Sequence, residues 1–298
     1  RLSSVLEIDM KEGNMKEIKG EGSLGLISSK LAIEGPIVKD KVSFIVSGRR
    51  TYADLLLNSL NPADSGIDGG YYFYDFNAKL NYKISNKDRL YLSGYFGRDV
   101  FSLSNSDLEF TFKIPWGNST ASLRWNHLFS DKLFVNTSAV FTDYNFAFEG
   151  GSNNFLFKLS SGIRDGNLKQ DYTYYPNSFH NIKFGWNYTL HRFIPSSTEA
   201  SSNDVEFDTG EEVKIYGNEA AIYFLDEWDI NENLKINAGF RLSMYQHIGP
   251  FTRYYKNPYN GTTDSTDIYE KFETVKTYFG PEPRFSARYL FRDNSSFK

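Results

Sequence analysis

Tyr71-Tyr72-Phe73-Tyr74-Asp75-Phe76-Asn77-Ala78-Lys79-Leu80-Asn81-Tyr82-Lys83-Ile84 is two sequences interleaved. The even positions are apolar throughout, with aromatics near both ends and small or aliphatic residues between. The odd positions turn polar after Phe73, as Asp75, Asn77, Lys79, Asn81 and Lys83. A strand sends successive side chains to opposite faces, so this stretch predicts one wholly apolar face and one polar face. A common strand has ~5–6 residues, whereas this one extends over roughly 45 Å at ~3.3 Å per residue. That length crosses a bilayer at a tilt, and the aromatic ends match the girdles at the two interfaces.

The same pattern recurs. Ile182, Phe184, Trp186, Tyr188 and Leu190 alternate with Lys183, Gly185, Asn187, Thr189 and His191. Leu234, Ile236, Ala238, Phe240 and Leu242 alternate with Lys235, Asn237, Gly239, Arg241 and Ser243. Phe285, Ala287, Tyr289 and Phe291 alternate with Arg284, Ser286, Arg288 and Leu290. Lys and Arg on the second face are costly in lipid and ordinary in a wet lumen. Leu90, Leu92, Gly94 and Phe96 continue the series, as do Leu133, Val135, Ala139 and Phe141. Further strands are expected near 5–11, 20–35, 41–50, 118–129, 154–175 and 214–229, giving about twelve.

Short polar turns join some of these strands: Ser85–Asp88, Ser130–Lys132, Pro176–His180 and Asn231–Asn233. Between them lie connections at 51–70, 99–116, 149–153, 195–213 and 246–282, most of them long. Short turns on one side and long loops on the other are the signature of an outer-membrane β-barrel. The expected orientation puts the short turns, with a further one near 292–296, in the periplasm.

Composition agrees without deciding. The chain has 298 residues, net charge −4, 23% charged and 17% aromatic residues, and no cysteine. Its mean hydropathy of −0.49 hides a barrel, whose apolar residues are diluted one-in-two by polar ones. No apolar run is long enough for a transmembrane helix. The missing cysteines exclude disulfides and thiol chemistry. Mild acidity without a Lys/Arg cluster among stacking aromatics argues against nucleic acid.

Motifs that carry chemistry are sparse. Gly20, Gly22 and Gly25 fit GxGxxG, but the residues after Gly25 read as strand rather than the helix a dinucleotide site needs. Asp204, Glu206 and Asp208, with Glu211 and Glu212 beyond, are the weak candidates for a structural Ca²⁺ in an outer loop. The competing reading is a solvated acidic loop, since EF-hand spacing is absent. His127, His180, His191 and His247 show no paired metal-ligand spacing, and no nucleophile motif stands out. Asp226 and Glu227 are adjacent on a strand, so they point to opposite faces and cannot act as an acid pair. A structural role is expected for them, with Trp228 in an interfacial belt. Of Arg49 and Arg50, one should face the lumen, meeting an anionic ligand or a carboxylate of the wall. The sequence thus offers no catalytic or substrate-contact residue.

The order of several loose motifs resembles TonB-dependent receptors of Bacteroidota. They are Arg1–Asn14, Ile33-Glu-Gly-Pro-Ile37, Ser43–Tyr52, Asp226–Asp229, Asn237–Leu242 and Pro283–Tyr289. The resemblance implies about twelve strands of a 22-stranded transmembrane barrel, as one domain over residues 1–298 that is incomplete at both ends and lacks the plug. It further implies a non-enzyme that imports a scarce nutrient such as an iron chelate, glycan, peptide or cofactor. The partners it implies are outer-membrane lipid, the TonB complex acting through a plug, and a surface lipoprotein at the long loops. It also implies that the remaining strands come from further sequence or another polypeptide, because open edges in lipid are untenable.

Two other readings compete: a passive porin, and a non-membrane all-β surface adhesin whose apolar faces pack on a second sheet. The adhesin leaves envelopes in detergent-free buffer. The expected outcome is retention in the membrane pellet until detergent is added.

Overall fold

A computed structural model describes residues 10–60, 66–107, 109–152, 154–203, 205–208, 212–292 and 295–297. The described chain is almost wholly strand. In order come β1 (Lys19–Leu24), β2 (Ser28–Val38), β3 (Val42–Thr51), α1 (Ala53–Leu60), β4 (Ile67–Lys83) and β5 (Asp88–Asn105). Next are β6 (Phe110–Ser130), β7 (Leu133–Ser152), β8 (Phe155–Tyr174), β9 (His180–Ser202), β10 (Val205–Glu206) and β11 (Ile215–Asp229). The last are β12 (Leu234–Ile248), β13 (Phe251–Lys256), β14 (Thr263–Tyr269), β15 (Thr274–Arg292) and β16 (Ser295–Phe297). Hydrogen-bonded neighbours keep chain order through β9, then β11, β12, β15 and β16, with β10 a spur on β9 and β13–β14 a separate hairpin.

Four short turns sit where the sequence puts them, and their side chains explain why. The Ser85 hydroxyl accepts the N–H groups of Lys87 and Asp88, each at 3.0 Å. Asn177 Oδ1 accepts from Phe179 and His180, and Asn231 Oδ1 from Asn233 and Leu234. Such side-chain-to-backbone bonds mimic a backbone turn and satisfy donors that the ladder has released.

The long connections differ from expectation. Residues 99–116 are mostly ladder, since β5 runs to Asn105 and β6 begins at Phe110. β9 likewise continues to Ser202 through the Ser/Thr-rich stretch, and 246–282 contains the β13–β14 hairpin and the start of β15. Backbone pairing needs no apolar side chain, so the ladder outlasts the hydrophobic alternation. Part of the region near 20–35 is a tight turn between β1 and β2, closed by a Gly25 N–H to Ser28 O bond of 2.9 Å. Of the strand expected near 5–11, residues 5–9 lie outside the described residues, while Met10 and Lys11 are not in a strand.

By contacts the chain forms two compact units. The first spans 1–123, 146–158 and 200–206. In it, β1 to β5 pair antiparallel in sequence order. A strap, Met10–Gly13, crosses one face of β3, β4 and β5. Lys79 Nζ donates to Met10 O at 2.8 Å, Ser43 Oγ to Glu12 O at 2.9 Å, and Arg89 pairs with Glu12 at 3.4 Å. Gly13 has φ +80°, and a Cβ there would lie 2.5 Å from Phe44 O, so only glycine lets the strap lie this close.

The second unit spans 124–145, 159–199 and 207–298. Its spine is β9–β11–β12–β15, paired antiparallel over long registers such as Ile222↔Trp186 and Arg241↔Glu282. Here β9 and β8 approach closely, for a Cβ on Gly185 would stand 2.1 Å from Gln170 O.

Both units carry the two-faced pattern. Phe76, Leu92 and Phe96 in the first, and Ile222, Phe224, Phe240 and Phe285 in the second, are exposed. These are large apolar side chains on one side of each strand, with no core over them. Trp125, His127 and Phe129 form a ring-contact ladder on that side near one short turn, and His180 stacks on Trp228 near another. A lipid-facing role for this side has a measurable signature. Ile222→Arg should lose about 2–4 kcal/mol of folding free energy in vesicles. Ser286→Arg, on the opposite side, should change it by less than about 0.5 kcal/mol. Urea titration of protein refolded into phosphatidylcholine vesicles measures both.

Candidate functional site

The polar side of the strands holds what chemistry the chain has. In the second unit an ionic ladder crosses β8, β9, β11, β12 and β15. His191 Nδ1 meets Asp165 Oδ1 at 2.8 Å, and its Nε2 lies 3.7 Å from Glu219. Arg241 lies between Glu219 (3.9 Å) and Glu282 (3.6 Å), and Arg284 reaches Glu282 at 3.5 Å. Ser243 donates to Glu282 at 2.5 Å and accepts from Arg241 Nε at 3.1 Å. Register makes this order inevitable. Arg241 stands opposite Glu282 on β15, while β11 sets Glu219 opposite Thr189 on β9 and Tyr245 on β12. Carboxylates and their partners alternate along the ladder, each held by the next, which rigidifies this part of the wall.

In the first unit the same side carries an aromatic strip. Tyr71 stacks on Trp116 (6.1 Å, 21°) and stands opposite Phe101 in the β4–β5 ladder. Phe101 meets Phe112 edge-on at 6.0 Å, and Phe112 meets Phe148 at 4.9 Å. Polar groups border the strip. The Tyr71 hydroxyl donates to Asp99 Oδ1 at 2.5 Å, Arg49 pairs with Asp75 at 2.6 Å, and the Arg49 guanidinium lies over the Phe73 ring at 4.7 Å. Neighbouring unit-1 strands β1–β4, with the strap, line a further cleft of about 400 Å³ containing Lys11, Lys30, Glu34 and Asn77.

The structure places each residue singled out in the sequence. Arg49 joins Asp75 on the polar side, a salt bridge within the wall, while Arg50 lies over Tyr72 and 3.9 Å from Asp54. Asp226 bonds His180 at 2.8 Å, whereas Glu227 takes Lys183 at 2.7 Å and Asn181 at 2.8 Å on the other face. The two acids are thus separated by the strand, each with its own partner. Gly20 and Gly22 lie in β1, and no helix comes after Gly25 in this part of the chain. Of the Ca²⁺ candidates, Asp204 lies outside the described residues, as does Glu211. Glu206 is exposed in β10, paired in register with Ser201, and Asp208 is exposed beyond it. A hydrogen bond from Lys214 holds the Glu212 carboxyl below the usual range. Among the described residues no three His, Asp or Glu side chains are grouped to hold a metal ion. The aromatic strip escapes a reading of the sequence because three of its rings, Phe101, Phe112 and Trp116, lie in a stretch that reads as loop. Tyr71 and Phe73 at odd positions are its visible signal.

The fold of this all-β antiparallel wall is that of TonB-dependent receptor barrels, as three solved structures illustrate. The copper transporter OprC superposes with a TM-score of 0.63 at 11% identity, over 95% of this chain and 44% of that one. The ferric citrate transporter FecA gives 0.61 at 14%, covering 95% and 43%. The ferric yersiniabactin uptake receptor FyuA from Yersinia pestis gives 0.58 at 11%, covering 95% and 46%. The chain therefore spans less than half the length of each. No family model matches the sequence, and no curated protein does.

The ladder makes a quantitative prediction. Arg241→Met leaves Glu219 and Glu282 without their shared cation and should cost about 1–3 kcal/mol. Adding Glu282→Gln should recover part of that loss. Urea unfolding of the single and double variants in micelles provides the cycle.

Proposed function

We propose that this chain is part of a TonB-dependent receptor of the bacterial outer membrane, importing a scarce nutrient with energy from the inner membrane. The observation that carries this reading is the two-faced pattern within each unit. Phe76 and Leu92 are exposed on one side of the first, with the aromatic strip on its other side. Ile222 and Phe240 are exposed on one side of the second, with the ionic ladder on its other side. The exposed apolar side suits hydrocarbon, where strands must satisfy every backbone group laterally. The other side suits a hydrated lumen lined by residues that hold each other in place. The likeness to solved transporters supports the same assignment.

On this reading the short turns face the periplasm and the tall hairpins face the medium. Further strands, from additional sequence or another polypeptide, pair with β1 and complete the barrel. A plug carries the contact to TonB. The motifs shared with Bacteroidota receptors favour a surface lipoprotein over the hairpins at β9–β11 and β12–β15.

Energy coupling separates this from a passive porin. A strain lacking the gene and a strain lacking TonB should lose growth on the same limiting nutrient, and an uncoupler should stop uptake within minutes. Uptake that continues after the proton-motive force collapses assigns the wall to a diffusion channel instead.

A further inference from the structure

We propose that the aromatic strip of β4 to β7 is a binding surface for a neutral polyhydroxylated ligand, an oligosaccharide. The inference rests on the receptor reading for its place in a lumen, but its chemistry is carried by the strip itself. Tyr71, Phe101, Phe112 and Phe148 follow one another on the neighbouring strands β4, β5, β6 and β7. Tyr71 stands opposite Phe101 in the ladder, ring contacts run from Phe101 through Phe112 to Phe148, and Trp116 stacks on Tyr71 from β6. This makes an elongated surface, not a cage closing on one point. Phe101 is 39% exposed, and the other four are partly exposed. Such a surface fits a chain of flat, weakly apolar faces, which the C–H faces of successive pyranose rings provide. Aromatic side chains offer that contact at little entropic cost, and Trp116 adds an indole N–H that can donate to water or ligand.

The border groups narrow the class further. Asp75 and Asp99 are acceptors suited to hydroxyl donors. Arg49 is the cation among them, and its charge is already engaged by Asp75 through Nε and Nη2, with Phe73 across its face. Arg49 and Asp75 neutralise each other, so Asp99 leaves one net negative charge at the border, which opposes an anionic chelate by like-charge repulsion. A small organic cation, favoured by aromatic faces and acids together, would want rings converging around it, whereas four of these rings succeed one another over four neighbouring strands.

The test uses the purified protein in detergent micelles on a printed array of neutral α- and β-glucans, mannans and galactans. A ferric tris-catecholate complex and tetramethylammonium serve as anionic and cationic probes. Binding to at least one neutral glycan is expected, with neither small probe bound. Trp116→Ala should weaken that glycan at least tenfold, and Trp116→Phe, which keeps a ring, by less than about threefold. Trp125→Ala, on the apolar side, should leave binding unchanged. Heat-modified migration on gels confirms that each variant is folded. If Trp116→Ala does not fold, Phe101→Ala takes its place with the same tenfold expectation.

The proposal is overturned if no neutral glycan binds, if the ferric complex or the ammonium ion binds in its place, or if the ring deletion leaves affinity intact. Those outcomes leave energy-coupled uptake untouched. Conversely, glycan binding that depends on Trp116 in a protein whose uptake ignores the proton-motive force sustains the strip and removes the receptor.

Discussion

Lateral hydrogen bonding holds this wall together, between strands far longer than a globular core requires. β9 alone has 23 residues, roughly 75 Å at ~3.3 Å per residue, while a hydrocarbon layer asks for only ~9–11 residues of tilted strand. The ladder therefore does two jobs along one strand. Across the apolar stretch it removes backbone polarity from a medium that offers no partners. Beyond that stretch it continues among polar side chains and builds stiff hairpins where the sequence reads as flexible loop.

This division explains what is legible. Alternation marks the membrane-length parts of β4, β9, β12 and β15, because there one face is forced to be apolar. The turns are legible because Ser85, Asn177 and Asn231 each carry the side-chain acceptor that a tight turn uses. The strand extensions are not. Pro195-Ser-Ser-Thr-Glu-Ala-Ser-Ser202 has no hydrophobic period, and its pairing is imposed by its neighbours and not by its own residues. The strip is hidden for the same reason, since Phe101, Phe112 and Trp116 sit in such an extension.

Face assignment also sorts the polar groups. Neighbours in sequence, such as Asp226 and Glu227, serve different surroundings: one meets a histidine beside Trp228, the other a lysine of the opposite side. Distant residues such as Asp165 and Glu282 join one ladder. Which acids meet which bases is beyond the reach of the sequence, since that requires the register of five strands.

The Met10–Gly13 strap has a mechanical side. Beneath it lie Ser43, Asn81 and Lys79, at 0%, 1% and 8% exposure, all polar. Peeling it from its N-terminal end loads the Lys79–Met10 bond first and the Glu12 contacts next, so the attachments fail one at a time. Each group released is one that water rehydrates readily, whereas an apolar seat would resist being wetted. A strap seated in this way is held by polar contacts that water can replace, so its release exposes no apolar surface beneath it.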